Sequence, residues 1–297
     1  MSGVPIEVVQ AHNDLPVNVG NARMMLRRFI RNKLAVAGFA IVVLAFAFSF
    51  LGPLLYQTDQ MHVDLASANQ APGPGHPLGA DAVGFDQLGR MMVGGQTSLV
   101  IGLAAGLLAT LIGAVWGSIA GYAGGWVDSA MMRLVDSGIA IPALFILLVI
   151  SAITSPNSAT MILVVACLSW LVPSRLVRAE TLSLKNRDYV LTLRAIGGSH
   201  FRAIGRHILP NTVSTLVVNA TFQVADAILL VAYVSYLGMG VQPPATDWGG
   251  MLSAGLTAVN SGSWWLIGPP GVAIILVVCA FNAIGDGLRD MFDVKGQ

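Results

Sequence analysis

The 297-residue chain is predicted to be an all-α membrane protein with six transmembrane helices. Hydrophobic residues make up 55% of it, and charged residues only 10%, against about 25% in soluble domains. Six apolar stretches approach or exceed the roughly 20 residues that a helix needs to cross a bilayer. The positive charges fall almost entirely in alternate connecting segments. These observations exclude a water-soluble enzyme and a nucleic-acid binder.

The spans follow from uncharged runs. No charged residue occurs between Lys33 and Asp59, between Arg90 and Asp128, or from Ser137 to Ser174. The last of these runs is long enough for two helices, and Ser155-Pro156-Asn157 divides it because this tripeptide favours a turn. The predicted spans are 34–56, 97–121, 131–153, 159–177, 212–236 and 264–283.

The distribution of Lys and Arg predicts the orientation. Fifteen of the sixteen lie in the two terminal tails, near Arg133 and in the loop after the fourth span, and only Arg90 lies on the other side. Loops rich in Lys and Arg stay in the cytoplasm, so both termini are expected there. The predicted segments are a basic tail (1–33), the first span, an extracytoplasmic loop (57–96), a membrane core (97–288) and a tail (289–297).

Two segments of the core lie outside the lipid in this prediction. The cytoplasmic loop is 178–211, and the extracytoplasmic segment 237–263 is rich in Gly, Pro and Trp. The composition of 237–263 favours a folded cap or re-entrant piece over a pathway. There it could meet a substrate-delivering protein, and Trp248 and Gln242 are the positions chosen for crosslinking.

The second span carries a stripe of small residues, and two membrane helices carry carboxylates. Glycines at 102, 106, 113, 117 and 121 share one face, which favours close helix packing, with a sliding or pathway face as the alternative. Asp136 follows Arg133 by one turn and is interpreted as its ion-pair partner. Asp226 has no partner nearby in sequence, so it is expected to face the interior in a structural or a pathway role. Cys167 and Cys279 are interpreted as buried thiols.

The cytoplasmic loop reads as two short helices with a hinge. Asn186 is expected to cap the first helix, Asp188 lies in its first turn, and Gly197-Gly198 end it. The second begins at a Ser199 cap and stops by Pro210, and Asn211 is expected to cap the next membrane helix.

An apolar face on the first short helix requires cover. Tyr189, Leu193 and Ile196 share that face, while Arg187 and Arg194 lie on another. A helix this short is marginal alone in water. The spacing leaves three possibilities open: cover by this chain, a partner's groove, or a plain loop on the surface or on anionic lipid.

These residues resemble a known family. The segment from Tyr189-Val190 through Gly197 to His207-Ile-Leu-Pro-Asn211 is similar to the EAA loop of ABC importer permeases, and more narrowly to C-type subunits of dipeptide and oligopeptide importers. Matching motifs occur in family order along most of the chain: 31–35, 76–81, 122–128, 133–136, 236–244 and 282–290. Thr192 and Leu193 replace the usual small residues, and Gly84-Phe85-Asp86 replaces Gly-Arg-Asp.

The resemblance implies a type I ABC importer permease fold in a bacterial inner membrane. It implies a homologous sister permease, two ATPase domains and an extracytoplasmic binding protein as partners, beside membrane lipid. The cargo would be short peptides, with nickel or haem in related systems. The residues implied to couple to the ATPase are Asn186, Tyr189, Leu193, Arg194, Ile196, Gly197, Gly198, Ser199, His207 and Pro210.

No catalytic or cofactor motif occurs in the sequence. None of its three lysines follows a glycine, so the chain has no P-loop, and ATP and Mg²⁺ are expected on the partner ATPase. His76 is interpreted as a loop residue, and His200 and His207 as structural residues, since two histidines make a poor zinc site. Two rival functions remain: a stand-alone secondary transporter or channel using Asp136 or Asp226, and a membrane-bound scaffold.

Overall fold

The computed structural model describes residues 26–60, 62–154, 156–195 and 199–292, and these residues form helices and connecting turns without strands. The helices discussed below are α1 Lys33–Leu55, α2 Gln87–Ala123, α3 Gly125–Ile139, α4 Ala143–Thr154, α5 Ser158–Ser169, α6 Leu171–Leu184, α7 Asp188–Ala195, α8 Val213–Tyr236, α9 Trp248–Gly255 and α10 Gly268–Phe292. Within the described ranges, α1, α2, α8 and α10 are long and apolar enough to span a bilayer, and two bent pairs raise the total to six if each pair is one span.

Helices α1 and α10 pack antiparallel and bring both ends of the described chain together. Asn32 caps α1 by accepting a hydrogen bond from the Ala35 N–H at 3.2 Å, and its side-chain amide donates to Asp290 near the end of α10 at 3.1 Å. A Cβ on Gly38 would lie 2.7 Å from the Ala280 carbonyl oxygen, so the glycine permits close contact. The start of α1 and the end of α10 therefore lie at the same end of the bundle.

Helix α2 is the central helix, and its glycine stripe is a packing face. Gly106 lies against the α8 backbone at Val224, where a Cβ would come within 2.7 Å of the backbone nitrogen. Farther along, Gly117 lies against α6, and its Cβ would meet the Ser174 carbonyl oxygen at 2.3 Å. The structure thus confirms the packing interpretation, with two of the five glycines facing α8 and three facing α6. The helix also begins ten residues before the predicted span.

The third and fourth predicted spans are not single helices. Helices α3 and α4 meet at 74°, with Pro142 at the break, and α5 and α6 meet at 45°. Pro173 explains the second bend because it has no N–H for the Ser169 carbonyl four residues earlier. The side-chain amide of Gln223 donates to that carbonyl instead, at 2.6 Å.

The segment after α8 folds back into the protein. Asp247 caps α9 through its Oδ1 atom, which accepts hydrogen bonds from the Gly249 and Gly250 N–H groups at 2.9 and 3.1 Å. Trp248 is only 1% exposed, and its indole N–H donates to the Met91 carbonyl at 3.0 Å. The choice of Trp248 as a crosslinking position was therefore wrong, because α9 packs between α2 and α8, whereas Gln242 is exposed.

The predictions for His76 and for the two cysteines have clear outcomes, and the loop before α2 holds one further contact. His76 lies in the loop before α2, as predicted, and its Nδ1 atom is 3.0 Å from the Asp86 carboxylate. Arg90 lies over the Phe85 ring at 4.4 Å from its centroid. The interpretation of Cys167 and Cys279 as buried was wrong, since both lie on outward helix faces that an apolar sequence context alone does not reveal.

Candidate functional site

The loop predicted to be cytoplasmic and a groove beside α8 contain most of the predicted site residues. In the loop, α7 starts at Asp188, which occupies the first helical turn as predicted. Asn186 does not cap this helix: it lies in the turn after α6, and its side-chain amide points back to the Leu182 carbonyl at 3.4 Å. The cap prediction for Asn186 was wrong because α6 continues to within two residues of it and its last turn offers the free carbonyls.

The inner face of α7 is set by Val190. This side chain is fully buried in a cluster with Tyr122, Ala203 and Ile208, so part of the helix is covered by its own chain. Tyr189 remains 41% exposed, with its ring 6.0 Å from the His207 ring. Thr192 is also exposed. The loop helix is therefore anchored on one side and open on the other.

The return from the loop to the membrane is a continuous but distorted helical segment, 200–211. Ser199 begins it as predicted, accepting a hydrogen bond from the Arg202 N–H at 3.3 Å. A π-helical turn at Ile204–Ile208 precedes Pro210, whose ring and missing N–H disturb the preceding turn. Asn211 lies within the helical path, and its amide donates to the His207 carbonyl. It therefore does not cap α8, contrary to prediction.

Polar contacts fix both ends of the loop to the membrane helices. Arg178 on α6 donates two hydrogen bonds to Asp128 on α3, at 2.5 and 2.7 Å. Lys185 donates from Nζ to the Gly121 carbonyl at the end of α2, at 2.9 Å. Glu180 accepts a hydrogen bond from the Thr215 hydroxyl and so joins the helix before the loop to the helix after it.

Part of the predicted coupling set lies outside the described residues. Ile196, Gly197 and Gly198 lie outside the described residues, so the predicted hinge stays a prediction. Leu193 and Arg194 belong to α7, and His200 begins the next helical segment, but only their backbones are described.

An open groove lies where the two bent pairs meet α8. Its volume is about 390 Å³, and it is lined by residues of 138–146, residues of 168–172 and one face of α8. The α8 face consists of Gln223, Asp226, Leu229, Leu230 and Tyr233, which recur at helical spacing. We call this the α8 groove. Its volume falls within the range of about 300–1,000 Å³ typical of small-molecule sites.

The two intramembrane carboxylates have different environments. Asp136 pairs with Arg175 on α6, not with Arg133, because the bend between α5 and α6 brings Arg175 across to α3. Asp226 is exposed in the α8 groove, so it is not buried among the helices of its own chain, and the choice between a structural and a pathway role stays a prediction. Within the described ranges, Asp226 forms no hydrogen bond or ion pair and is the only charged residue lining the groove.

Comparison with known proteins decides the family. Residues 113–295 match the model for the binding-protein-dependent transport system inner membrane component, and residues 21–72 match the N-terminal transmembrane domain of oligopeptide transport permease C. The chain belongs to this family of ABC importer permeases.

The matched relatives align with most of this chain and over most of their own length. The oligopeptide transport system permease protein OppC of Escherichia coli K12 is 40% identical over 273 residues, covering 91% of this chain and 90% of that protein. The dipeptide transport system permease protein DppC of Bacillus subtilis is 36% identical over 269 residues, covering 91% and 84%. The oligopeptide permease OppC of Bacillus subtilis is 38% identical over 268 residues, covering 90% and 88%.

Sequence reasoning missed several residues that organise this permease's two sites. The apolar face assigned to α7 omitted Val190, although Val190 precedes Leu193 by three positions and could belong to the same face. It also missed Gln223, which fills the hydrogen-bond gap left by Pro173. Pro142 and Pro173 were available signals for the breaks that create the α8 groove.

Proposed function

We propose that this chain is one of two permease subunits of an ATP-driven importer of dipeptides or oligopeptides. A homologous sister chain supplies the other half of the pathway, two ATPase domains supply ATP and Mg²⁺, and an extracytoplasmic binding protein delivers cargo. The names of the relatives, which are oligopeptide and dipeptide permeases, favour peptides over nickel or haem.

The proposed topology has six spans, each bent pair counting as one, in a bacterial inner membrane with both termini in the cytoplasm. The contact between Asn32 and Asp290 supports an even number of spans because it joins the first and last helices at one end of the bundle. The excess of Lys and Arg at that end and in the loop supports a cytoplasmic location.

One observation supports the proposal that the loop couples to the ATPase: α7 is anchored through the buried Val190, but Tyr189 and Thr192 remain exposed. An apolar and polar surface on a short cytoplasmic helix suits a partner's groove. Force on this surface would reach α6 along the chain, α3 through the Arg178–Asp128 ion pair, and α8 through the turn before Pro210. ATP can bias the membrane helices only if these contacts differ between states.

The experiment compares two tyrosines of almost equal exposure. Tyr189 is 41% exposed on α7, and Tyr236 is 40% exposed at the opposite end of α8. In the complete importer reconstituted in proteoliposomes, Tyr189→Ala is expected to reduce peptide-stimulated ATP hydrolysis and uptake about tenfold, the effect of losing about 1.4 kcal/mol at the docking interface. Tyr236→Ala is expected to retain both activities.

A second variant tests the hinge. Gly197→Asp is expected to insert normally and to abolish stimulated hydrolysis and uptake. Normal transport by Gly197→Asp would reject the hinge, and equal effects of Tyr189→Ala and Tyr236→Ala would reject docking at α7. Uptake driven by an ion gradient with this chain alone would instead support a secondary transporter.

A further inference from the structure

Asp226 indicates what covers the α8 groove. It lies near the middle of the 24-residue helix α8 and is exposed in the isolated chain. A carboxylate at such a depth is costly in contact with lipid tails and instead faces a protein partner or a water-filled path. The groove is therefore a wall of the pathway, with the sister permease opposite, and this step depends on the proposed function.

The residues lining the groove favour a positively charged ligand. Asp226 is the only charged residue lining it within the described ranges, and its carboxylate oxygens have no donor there. The neighbouring Gln223 amide is already engaged by the Ser169 carbonyl, and the Asp136 carboxylate is paired with Arg175. Asp226 is thus the available charge-bearing acceptor, surrounded by apolar residues such as Leu229 and Leu230.

We propose that Asp226 forms a transient binding site for a cationic group of the passing peptide, either its α-ammonium or the side chain of Lys or Arg. The apolar walls lower the local dielectric constant and so strengthen the attraction between carboxylate and cation. The same charge raises the barrier for acidic side chains. The groove is open, so the site holds the cation weakly enough to release it.

The first test measures the charge of the groove without transport. In the assembled importer, Cys167 and Cys279 are replaced by Ser, and Leu230→Cys introduces a thiol about one turn from Asp226 on the same face. The rates at which a cationic and an anionic methanethiosulfonate reagent modify this introduced thiol are compared. We expect Asp226→Asn to lower the cation-to-anion rate ratio about fivefold or more, and Asp226→Glu to retain it.

The second test measures selectivity during uptake. Ala-Lys-Ala, Ala-Gln-Ala and Ala-Glu-Ala are supplied to proteoliposomes at saturation of the binding protein, whose affinity for each peptide is measured separately. Asp226→Asn is expected to lower uptake of Ala-Lys-Ala relative to Ala-Gln-Ala about fivefold if the Lys side chain is the guest. An equal loss for all three peptides, restored by Asp226→Glu, identifies the α-ammonium that they share.

Asp136→Asn is the matched control, because its carboxylate is paired with Arg175 and does not line the groove. The proposal is overturned if Asp226→Asn leaves both the reagent ratio and all three uptake rates unchanged. It is also overturned if Asp226→Glu shows neither the parent's reagent ratio nor the parent's uptake. If the parent complex imports no peptide but retains an Asp226-dependent reagent ratio, the cation site stands and peptide cargo is rejected.

Discussion

Arg178 and Asp128 form a two-point ion pair that ties α6 to α3, and Arg178 lies seven positions before Lys185, ahead of the loop helices. The Nε–Oδ1 and Nη2–Oδ2 distances are 2.5 and 2.7 Å, and the carboxylate side chain is only 10% exposed. A planar guanidinium suits this geometry better than an ammonium, because it offers two parallel N–H donors. The pair therefore fixes the angle at which α6 enters the loop.

We predict that Arg178→Ala lowers the free energy of unfolding by about 1–3 kcal/mol, because it leaves the mostly buried Asp128 carboxylate without its donors. Arg178→Lys should recover only part of this loss. Thermal unfolding of the complex in detergent provides the measurement. The expected loss is below that for a fully buried pair because Arg178 itself stays 34% exposed.

Arg175→Ala is the control for this prediction. The Arg175–Asp136 pair also joins α6 to α3, but its side chains are 50% and 57% exposed. An exposed pair contributes about 0–1 kcal/mol. Equal destabilisation by Arg175→Ala and Arg178→Ala would contradict the assigned importance of burial.

The second prediction concerns close packing at Gly117. A Cβ there would lie 2.3 Å from the Ser174 carbonyl oxygen and 2.9 Å from the Arg178 backbone nitrogen. Because both obstacles are backbone atoms, Gly117→Ala must push α2 and α6 apart, at a cost of about 1–3 kcal/mol. The thermal midpoint and the yield of assembled complex should both fall.

Gly205 provides a matched alanine control. A Cβ at Gly205 meets nothing within 4 Å, and its φ is not in the left-handed region. Gly205→Ala should leave stability unchanged or raise it by up to about 1 kcal/mol, since Ala favours helical backbone. If Gly117→Ala proved as harmless as Gly205→Ala, the glycine stripe would not be a tight packing face.

The third prediction separates the hydrogen-bonding role of Asp247 from its charge. Burial raises the pKa of the Asp247 carboxyl, while its hydrogen bonds from the Gly250 and Gly249 N–H groups oppose that shift. Asn keeps an acceptor oxygen without the charge, so the free energy of unfolding of Asp247→Asn should lie within about 1 kcal/mol of the parent's. Asp247→Ala should cost about 1–2 kcal/mol because α9 loses its cap. Equal thermal midpoints for the two variants would reject the cap as the important feature.

The sequence predicted the parts of the fold that depend on apolarity alone. The first and fifth spans match α1 and α8 closely because a lipid-facing helix needs only an uncharged apolar run. It did not predict the breaks beside Pro142 and Pro173, because hydropathy does not change at a bend. Those breaks create the α8 groove, so the site around Asp226 was invisible to a search for spans.

The sequence also failed to predict contacts between residues that are far apart in the chain. The spacing rule for helices paired Asp136 with Arg133, whereas the structure pairs it with Arg175, 39 positions away in sequence. Similarly, the apolar face of α7 was assigned without Val190, because eight residues give too little periodicity to identify the buried side. Ser199 was predicted correctly because an N-cap depends only on its own next turn.

The last prediction concerns Phe85, where the family pattern has arginine. The Arg90 guanidinium carbon lies 4.4 Å from the Phe85 ring centroid, and its Nε atom is 3.7 Å from the Asp81 carboxylate. Phe85→Leu keeps an apolar side chain but removes the cation–π attraction, so it should cost about 0.5–2 kcal/mol. Phe85→Arg should cost more, because two guanidinium groups would then share the single Asp81 carboxylate. Thermal unfolding in low and high salt measures these losses of stability. Added salt should reduce the loss caused by Phe85→Arg, because it screens the repulsion between guanidinium groups, and should leave the loss caused by Phe85→Leu unchanged. A Phe85→Arg protein as stable as the parent in low salt would show that Arg90 does not depend on the ring.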